Sequence, residues 1–258
     1  MAAHAPGTTS TGAQDTMKIE IWTDIVCPWC GLGEHRLAAA LARFPYRDHV
    51  EIVHRSFQLD PTAPEGVTTP VREVLKKKYG MSDAQLLATT GNIERMAEQE
   101  GLSPYKVGVN QSGNTLLAHQ LAAHADALGK GKEMWARLYH AYFGEVRSVF
   151  DVESLVALAV DVGLEADAAR EALTSRRYLP KVQADVREAR ALGCTGVPFF
   201  VIDRKFAVAG AQGPDTLLAA VSRAWGDRPA PLTRLAEDEN ACGPEGCAVP
   251  PGDTLPRD

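Results

Sequence analysis

The sequence predicts an α/β domain of order βαβ…ββα whose two halves are separated by a long helical insertion. Three observations carry this prediction. A strand–helix–strand pattern opens the chain, helical periodicity runs from about Pro70 to Leu192, and strand character returns at "VPFFVID" before one last helix. Neither half alone holds enough strands for a stable sheet, so the two must rejoin.

"MKIEIWTDIVC" alternates around Ile19, Ile21 and Ile25 and is rich in β-branched and aromatic residues, which gives a strand from about Lys18 to Thr23. "GLGEHRLAAALARF" follows, with Leu37, Leu41 and Phe44 at helical spacing, and "HVEIVHRSFQL" reads as a second strand, parallel to the first through a right-handed crossover. The insertion should hold four to six helices. "MSDAQLLATTGNIERMAEQEG" has Ser82 and Gln85 in capping-box positions and ends at Gly101. "NTLLAHQLAAHADALG" places Leu117, Leu121, Ala125 and Leu128 on one face. "DVESLVALAVDVG" has Asp151 as N-cap, with Leu155, Leu158, Ala159 and Val162 inward, and "PKVQADVREARALG" ends at Gly193. After "VPFFVID", a turn at Asp203–Lys205 leads to the hairpin partner "FAVAG", and "GPDTLLAAVSRAW" closes the fold. The expected organisation is a leader (1–16), an α/β domain (17–62 with 193–226), a helical insertion domain (63–192) and a Pro-rich tail (227–258).

The chain has 258 residues, is 45% hydrophobic and carries a net charge of −6. That size permits a full core, and the acidic balance argues against a nucleic-acid partner. The densest basic run, Lys76–Lys78, reads as the solvated end of a helix. No apolar run reaches the roughly 18 residues of a membrane span. "MAAHAPGTTSTGAQDT" lacks the basic start and apolar centre of a secretory signal, so a cytoplasmic location is expected, with Met17 as a candidate start of the folded part. In a reducing compartment thiols are more often catalytic, redox-sensing or metal-bound than structural.

The chemistry concentrates in "VCPWCGLG". Cys27 falls where a strand gives way to a helix, and Pro28 suits the first helical position, where its missing N–H costs nothing. A cysteine at a helix start meets free backbone N–H groups and the positive end of the helix dipole, which favour the reactive thiolate. Cys30 lies one turn on, on the same face and shielded by the helix. Cys27 then attacks or receives attack, and Cys30 resolves the mixed disulfide. The competing reading is half of a zinc site, completed by Cys242 and Cys247 or by a histidine such as His35. The C-x4-C spacing and remote position of Cys242 and Cys247 weigh against it, and no metal is expected. Asp24, three residues before Cys27, either terminates the strand through local backbone bonds or tunes the Cys27 thiol.

In "TGVPFFVID", Pro198 sits at a strand's first residue, where proline is tolerated and where a cis bond would be a deliberate feature; spacing alone favours the plain strand start. Cys194, four residues earlier, reads either as a small buried residue or as a regulatory thiol. In "CGPEGC", Gly243–Gly246 suits a tight turn that lets Cys242 and Cys247 form a small exposed disulfide, either a second redox pair or a passive clip.

These motifs together, "VCPWCGLG" and "TGVPFFVIDRKFAVAGAQ" with a helical block between them, resemble the thioredoxin-fold family of DsbA-type dithiol oxidoreductases, and its FrnE-like branch in particular, over about Met17 to Trp225. The resemblance implies a cis Val197–Pro198 bond facing Cys27 and Cys30, with the Val197 backbone pairing with an extended substrate. It places Pro28 and Trp29 in the active-site motif, and Asn114, His119, "HRSFQLDP" and Gln212 near the groove. Asn114 as a helix cap and His119 as a packing residue are the plainer readings. Some FrnE-like proteins carry a C-terminal C-x4-C that the Cys242/Cys247 segment resembles. The implied activity is thiol–disulfide exchange on protein or peptide substrates, with no cofactor beyond the cysteine pair and with thioredoxin or glutathione as candidate redox partner. Related kappa-class glutathione transferases and 2-hydroxychromene-2-carboxylate isomerases make a glutathione-dependent isomerase or transferase, acting on an aromatic or polyketide-like molecule, the alternative. A peptide-binding chaperone is the non-enzyme alternative.

Overall fold

A computed structural model describes residues 16–228; Cys242 and Cys247 lie outside the described residues. β1 (Met17–Thr23) begins one residue before the predicted start, because Met17 is fully buried and joins Ile19 and Ile21 on one face. β2 (Val50–Ser56) pairs parallel to β1, with Met17 opposite Val50 and Thr23 opposite Ser56. The second half of the chain returns as β5 (Phe199–Ile202), antiparallel to β1 with Trp22 opposite Phe199, and β6 (Phe206–Ala209) closes the order β2-β1-β5-β6. The hairpin turn uses two non-glycine residues in the left-handed region, Asp203 and Arg204. Arg204 reaches back to Glu20 and Glu188, which offsets the cost of that backbone.

One face of the sheet is covered by α1 (Pro28–Ala42) and α9 (Pro214–Gly226), with Leu37, Phe44, Phe200, Leu217 and Val221 closing the core between them. On the other face Trp22, Phe199 and Val201 pack under Ala189 and Cys194.

The predicted insertion between the sheet halves holds seven helices among the described residues, more than the four to six expected. They are α2 (Val71–Tyr79), α3 (Asp83–Gln99), α4 (Leu116–Ala127), α5 (Gly131–Tyr139), α6 (Val152–Asp161), α7 (Ala166–Thr174) and α8 (Leu179–Ala191). Several run only two to three turns, too short for periodicity to separate them. The capping box forms: the Ser82 hydroxyl accepts from the Gln85 N–H at 3.3 Å, and the Ser82 N–H donates to Gln85 Oε1 at 2.9 Å. Asp151 caps α6 by accepting from the Ser154 N–H at 2.8 Å. Lys76–Lys78 form the last turn of α2.

Leu128 departs from expectation. It stands at the C-cap of α4 and is exposed, because the helical repeat has ended one residue earlier. A two-stranded ribbon, β3 (Thr68–Pro70) with β4 (Gln111–Gly113), and a π-helical turn at His140–Gly144 also went unpredicted, being too short for a periodic signal. No helix among the described residues is long and apolar enough to cross a membrane.

Arg36 ties the active-site helix to both halves. From α1 its guanidinium grips Glu100 at 2.5–3.1 Å and donates to the Ala211 carbonyl at 2.6 Å. The hydrogen bonds from Arg36 hold the Glu100 carboxyl below its ordinary range despite partial burial. A depressed carboxylate stabilises the fold above its unfolded pKa of about 4.3 and loses that contribution as pH falls through the folded value. Wild type is therefore expected to lose more urea resistance between pH 6 and pH 3 than Arg36→Met does.

Candidate active site

Cys27 occupies the N-cap of α1 with extended backbone (φ −84°, ψ 112°), and Pro28 follows at the first helical position. The Cys27 N–H closes a tight turn onto the Asp24 carbonyl at 3.1 Å, and the Cys30 N–H bonds the Cys27 carbonyl at 3.0 Å. Both cysteines are free thiols. Cys27 keeps 4% of its surface exposed and Cys30 none. The Val197–Pro198 bond is cis, and the Cys27 thiol donates to the Val197 carbonyl at 3.6 Å. The spare residue in this approach is Gly33: a Cβ there would lie 2.9 Å from Pro198 Cγ, so glycine lets the loop close onto α1.

The two thiols differ in surroundings. Burial, and the neighbouring Cys27 thiol, push the Cys30 thiol well above its ordinary value, against weaker opposing hydrogen bonds from the Thr23 hydroxyl and the Asp24 backbone. Cys27 lines a cavity of about 430 Å³ with Pro28, Trp29, Val197 and Asp24. Its far wall is apolar, built from Val71, Val74 and Leu75 of α2 and Ile93 of α3, with Lys78 and Asp60 at polar positions. Cys30 does not reach this cavity.

The other predicted residues divide. Trp29 is exposed at the cavity wall, and Leu59 and Asp60 of "HRSFQLDP" line it too. Asp24 is buried. Its carboxylate accepts from the Leu59 N–H at 2.8 Å, so it anchors the chain leaving β2 rather than its own turn, and it pairs with His119 Nε2 at 3.2 Å. His119 is fully buried, edge-on to the Trp135 ring, and does not line the cavity. Asn114 Oδ1 accepts from the Leu116 N–H at 2.9 Å and from the Gln58 amide at 3.1 Å, which braces the turn into α4; the N-cap itself is Thr115, one residue on from the predicted cap. Gln212 falls outside the site: its amide donates to the Ala209 carbonyl at 2.9 Å and steadies its own turn. Cys194 is buried, its thiol donating to the Gly196 carbonyl at 3.2 Å. Among the described residues no group of three or more His, Cys, Asp or Glu is placed to hold a metal ion.

Three residues next to the thiols escaped the sequence reading. The Thr23 hydroxyl meets the Tyr139 hydroxyl, and the Tyr105 hydroxyl donates to the Pro28 carbonyl at 2.6 Å. Tyr105 also explains Gly31, where a Cβ would lie 2.5 Å from its hydroxyl oxygen. Both tyrosines come from the insertion, with no local motif to flag them.

Comparison with known proteins agrees with this geometry. The family model described as a DSBA-like thioredoxin domain matches residues 18–222. The YwbO protein of Bacillus subtilis (strain 168) is 28% identical over 208 residues, covering 80% of this chain and 96% of its own. The crystal structure of a Streptomyces coelicolor protein described as a probable DsbA oxidoreductase superposes with a TM-score of 0.82 at 46% identity, covering 91% of this chain and 99% of that one. The cytosolic disulfide reductase DsbM of Pseudomonas aeruginosa with GSH shares the fold at a TM-score of 0.52 and 20% identity, over 80% of this chain and 98% of its own. With a cis-proline loop set against a cysteine pair at a helix start, and a family match over most of its length, this chain belongs to the DsbA-like thioredoxin-domain oxidoreductases.

Proposed function

We propose that the protein is a cytoplasmic thiol–disulfide oxidoreductase acting on protein or peptide substrates. The observation that carries this reading is the placement of Cys27 at the wall of an open cavity, 3.6 Å from the Val197 carbonyl, with Cys30 sealed behind it. Cys27 is the nucleophile and Cys30 the resolving thiol. Among the described residues no hydrogen bond uses the Val197 N–H, which supports a role in pairing with an extended substrate beside the cysteine pair. The dithiol is the only redox group required, and thioredoxin or glutathione restores it. Cys242 and Cys247 serve as a second pair that exchanges with the first. A glutathione-dependent isomerase or transferase is the second reading, favoured by the apolar cavity wall.

Insulin reduction separates the two. Cys27→Ser is expected to lose the activity entirely, and the Cys242→Ser/Cys247→Ser double variant to change its reduction potential or its turnover with a reductase. Activity that survives Cys27→Ser rejects the dithiol mechanism.

A further inference from the structure

One buried polar pair beside Cys27 is not used by the thiol chemistry. The Asp24 carboxyl and the His119 imidazole are 1% and 0% exposed, and they meet at 3.2 Å between Oδ1 and Nε2. Taking two such groups out of water is costly, and apolar side chains of similar size would pack there more cheaply. The bond to Asp24 is the one side-chain hydrogen bond of His119 among the described residues, since its Nδ1 has no partner.

The second oxygen of Asp24 shows what the pair holds. Oδ2 accepts from the Leu59 N–H at 2.8 Å, and Leu59 and Asp60 line the cavity that Cys27 opens into. Asn114 grips the same stretch on either side. It accepts from the Gln58 amide at 3.1 Å, and its Nδ2 donates to the Ala63 carbonyl at 2.7 Å. The Cys27 N–H meanwhile bonds the Asp24 carbonyl at 3.1 Å. One residue, Asp24, thus fixes both the turn of the nucleophile and the wall beside it. Leu59 is 42% exposed and belongs to none of the core clusters, although it lies in a cavity with Val74 and Leu75 of α2. Covering such a side chain with an apolar group of the substrate is favourable.

We propose that Leu59 is a specificity-determining contact for a large apolar side chain next to the reacting cysteine of a peptide disulfide, and that His119, acting through Asp24, is the residue that positions it. The proposal rests on the dithiol reading of the site. His119 does not line the cavity. It fixes the Asp24 carboxyl, and the carboxyl fixes the Leu59 backbone relative to Cys27. Asn114 is the second clamp on the same wall.

The test uses reduced full-length protein with Cys194, Cys242 and Cys247 replaced by serine. It is mixed in single turnover with two peptide disulfides that differ only in leucine or alanine next to the cysteine. Bis(2-hydroxyethyl) disulfide, which has no side chain to place against Leu59, reports the thiol chemistry alone. The parent is expected to reach half its maximal rate at about tenfold lower concentration of the leucine peptide than of the alanine peptide. Leu59→Ala is expected to abolish that preference. His119→Leu is expected to raise the half-maximal concentration for the leucine peptide by about tenfold, with the maximal rate and the rate on the small disulfide unchanged. His119→Gln places an amide nitrogen as many bonds from the backbone as Nε2, and Asp24→Asn still accepts from the Leu59 N–H. Both are expected to keep the parent's values. A loss in Asp24→Asn equal to that in His119→Leu would assign the effect to charge, and an equal fall on the small disulfide would assign it to the thiols; either overturns the proposal. Should His119→Leu fail to fold, Asn114→Ala tests the wall from its other clamp, where the leucine preference should be lost; a preference equal to the parent's overturns the proposal too. A parent that reacts with both peptides equally overturns it and leaves the dithiol function standing. A parent that reacts with none of the three disulfides refutes the dithiol function itself.

Discussion

Cys30→Ser is expected to stop turnover while leaving substrate bound covalently to Cys27. Cys27 still faces the open cavity in this variant and still attacks a disulfide. Nothing behind it can then displace the substrate, because Cys30 is the thiol one helical turn away, its N–H on the Cys27 carbonyl. With Cys242 and Cys247 also replaced by serine, the mixed disulfide breaks only when an outside thiol arrives, so insulin reduction should fall by about 100-fold or more. With Cys194, Cys242 and Cys247 replaced by serine as well, intact mass after exposure to a disulfide-bearing peptide should show one adduct, mapped to Cys27. The Cys27→Ser variant should show no adduct on the α1 pair, since its remaining thiol is fully buried.

Trp22→Ala is expected to have the largest effect on stability. Trp22 is fully buried beneath the loop that carries Val197 and Pro198, packed on Phe199 at a centroid distance of 6.3 Å, and its indole N–H donates to the Asp185 carbonyl at 2.9 Å. Removing a buried tryptophan of this kind costs about 3–5 kcal/mol, and the Asp185 carbonyl loses its indole partner. The same substitution takes the support from under Val197, which belongs to this cluster. Urea unfolding should report the stability loss. At low urea, where the variant is still folded, kcat/KM should fall as well. A variant destabilised to this extent with wild-type kcat/KM would mean that the loop is held from elsewhere.

What could be read from the sequence followed the range over which each signal acts. Cys27, Pro28 and Cys30 were legible because the change from alternation to helical spacing occurs within one turn and sets the chemistry of the first thiol. Pro198 was legible only together with the cysteine pair, since spacing alone favoured a plain strand start. The surroundings of Cys30 were hidden. Thr23 looked like one more strand residue, and Tyr105 and Tyr139 belong to an insertion whose packing onto α1 leaves no periodic trace. His119 looked like a packing residue and is one, but its contact with Asp24 couples residues 95 positions apart. Gln212 was misplaced because a motif gives position along the chain and not the direction of a side chain.

The central claim is that Cys27 and Cys30 form one reversible two-electron couple. Equilibrating the protein in glutathione buffers of graded potential, then alkylating and mapping the peptides by mass, tests it most directly. The expected result is a single two-electron transition, joining the Cys27 and Cys30 peptides, with a midpoint in the range of roughly −270 to −120 mV spanned by this fold. Two thiols that remain separately alkylatable across the whole series would contradict it.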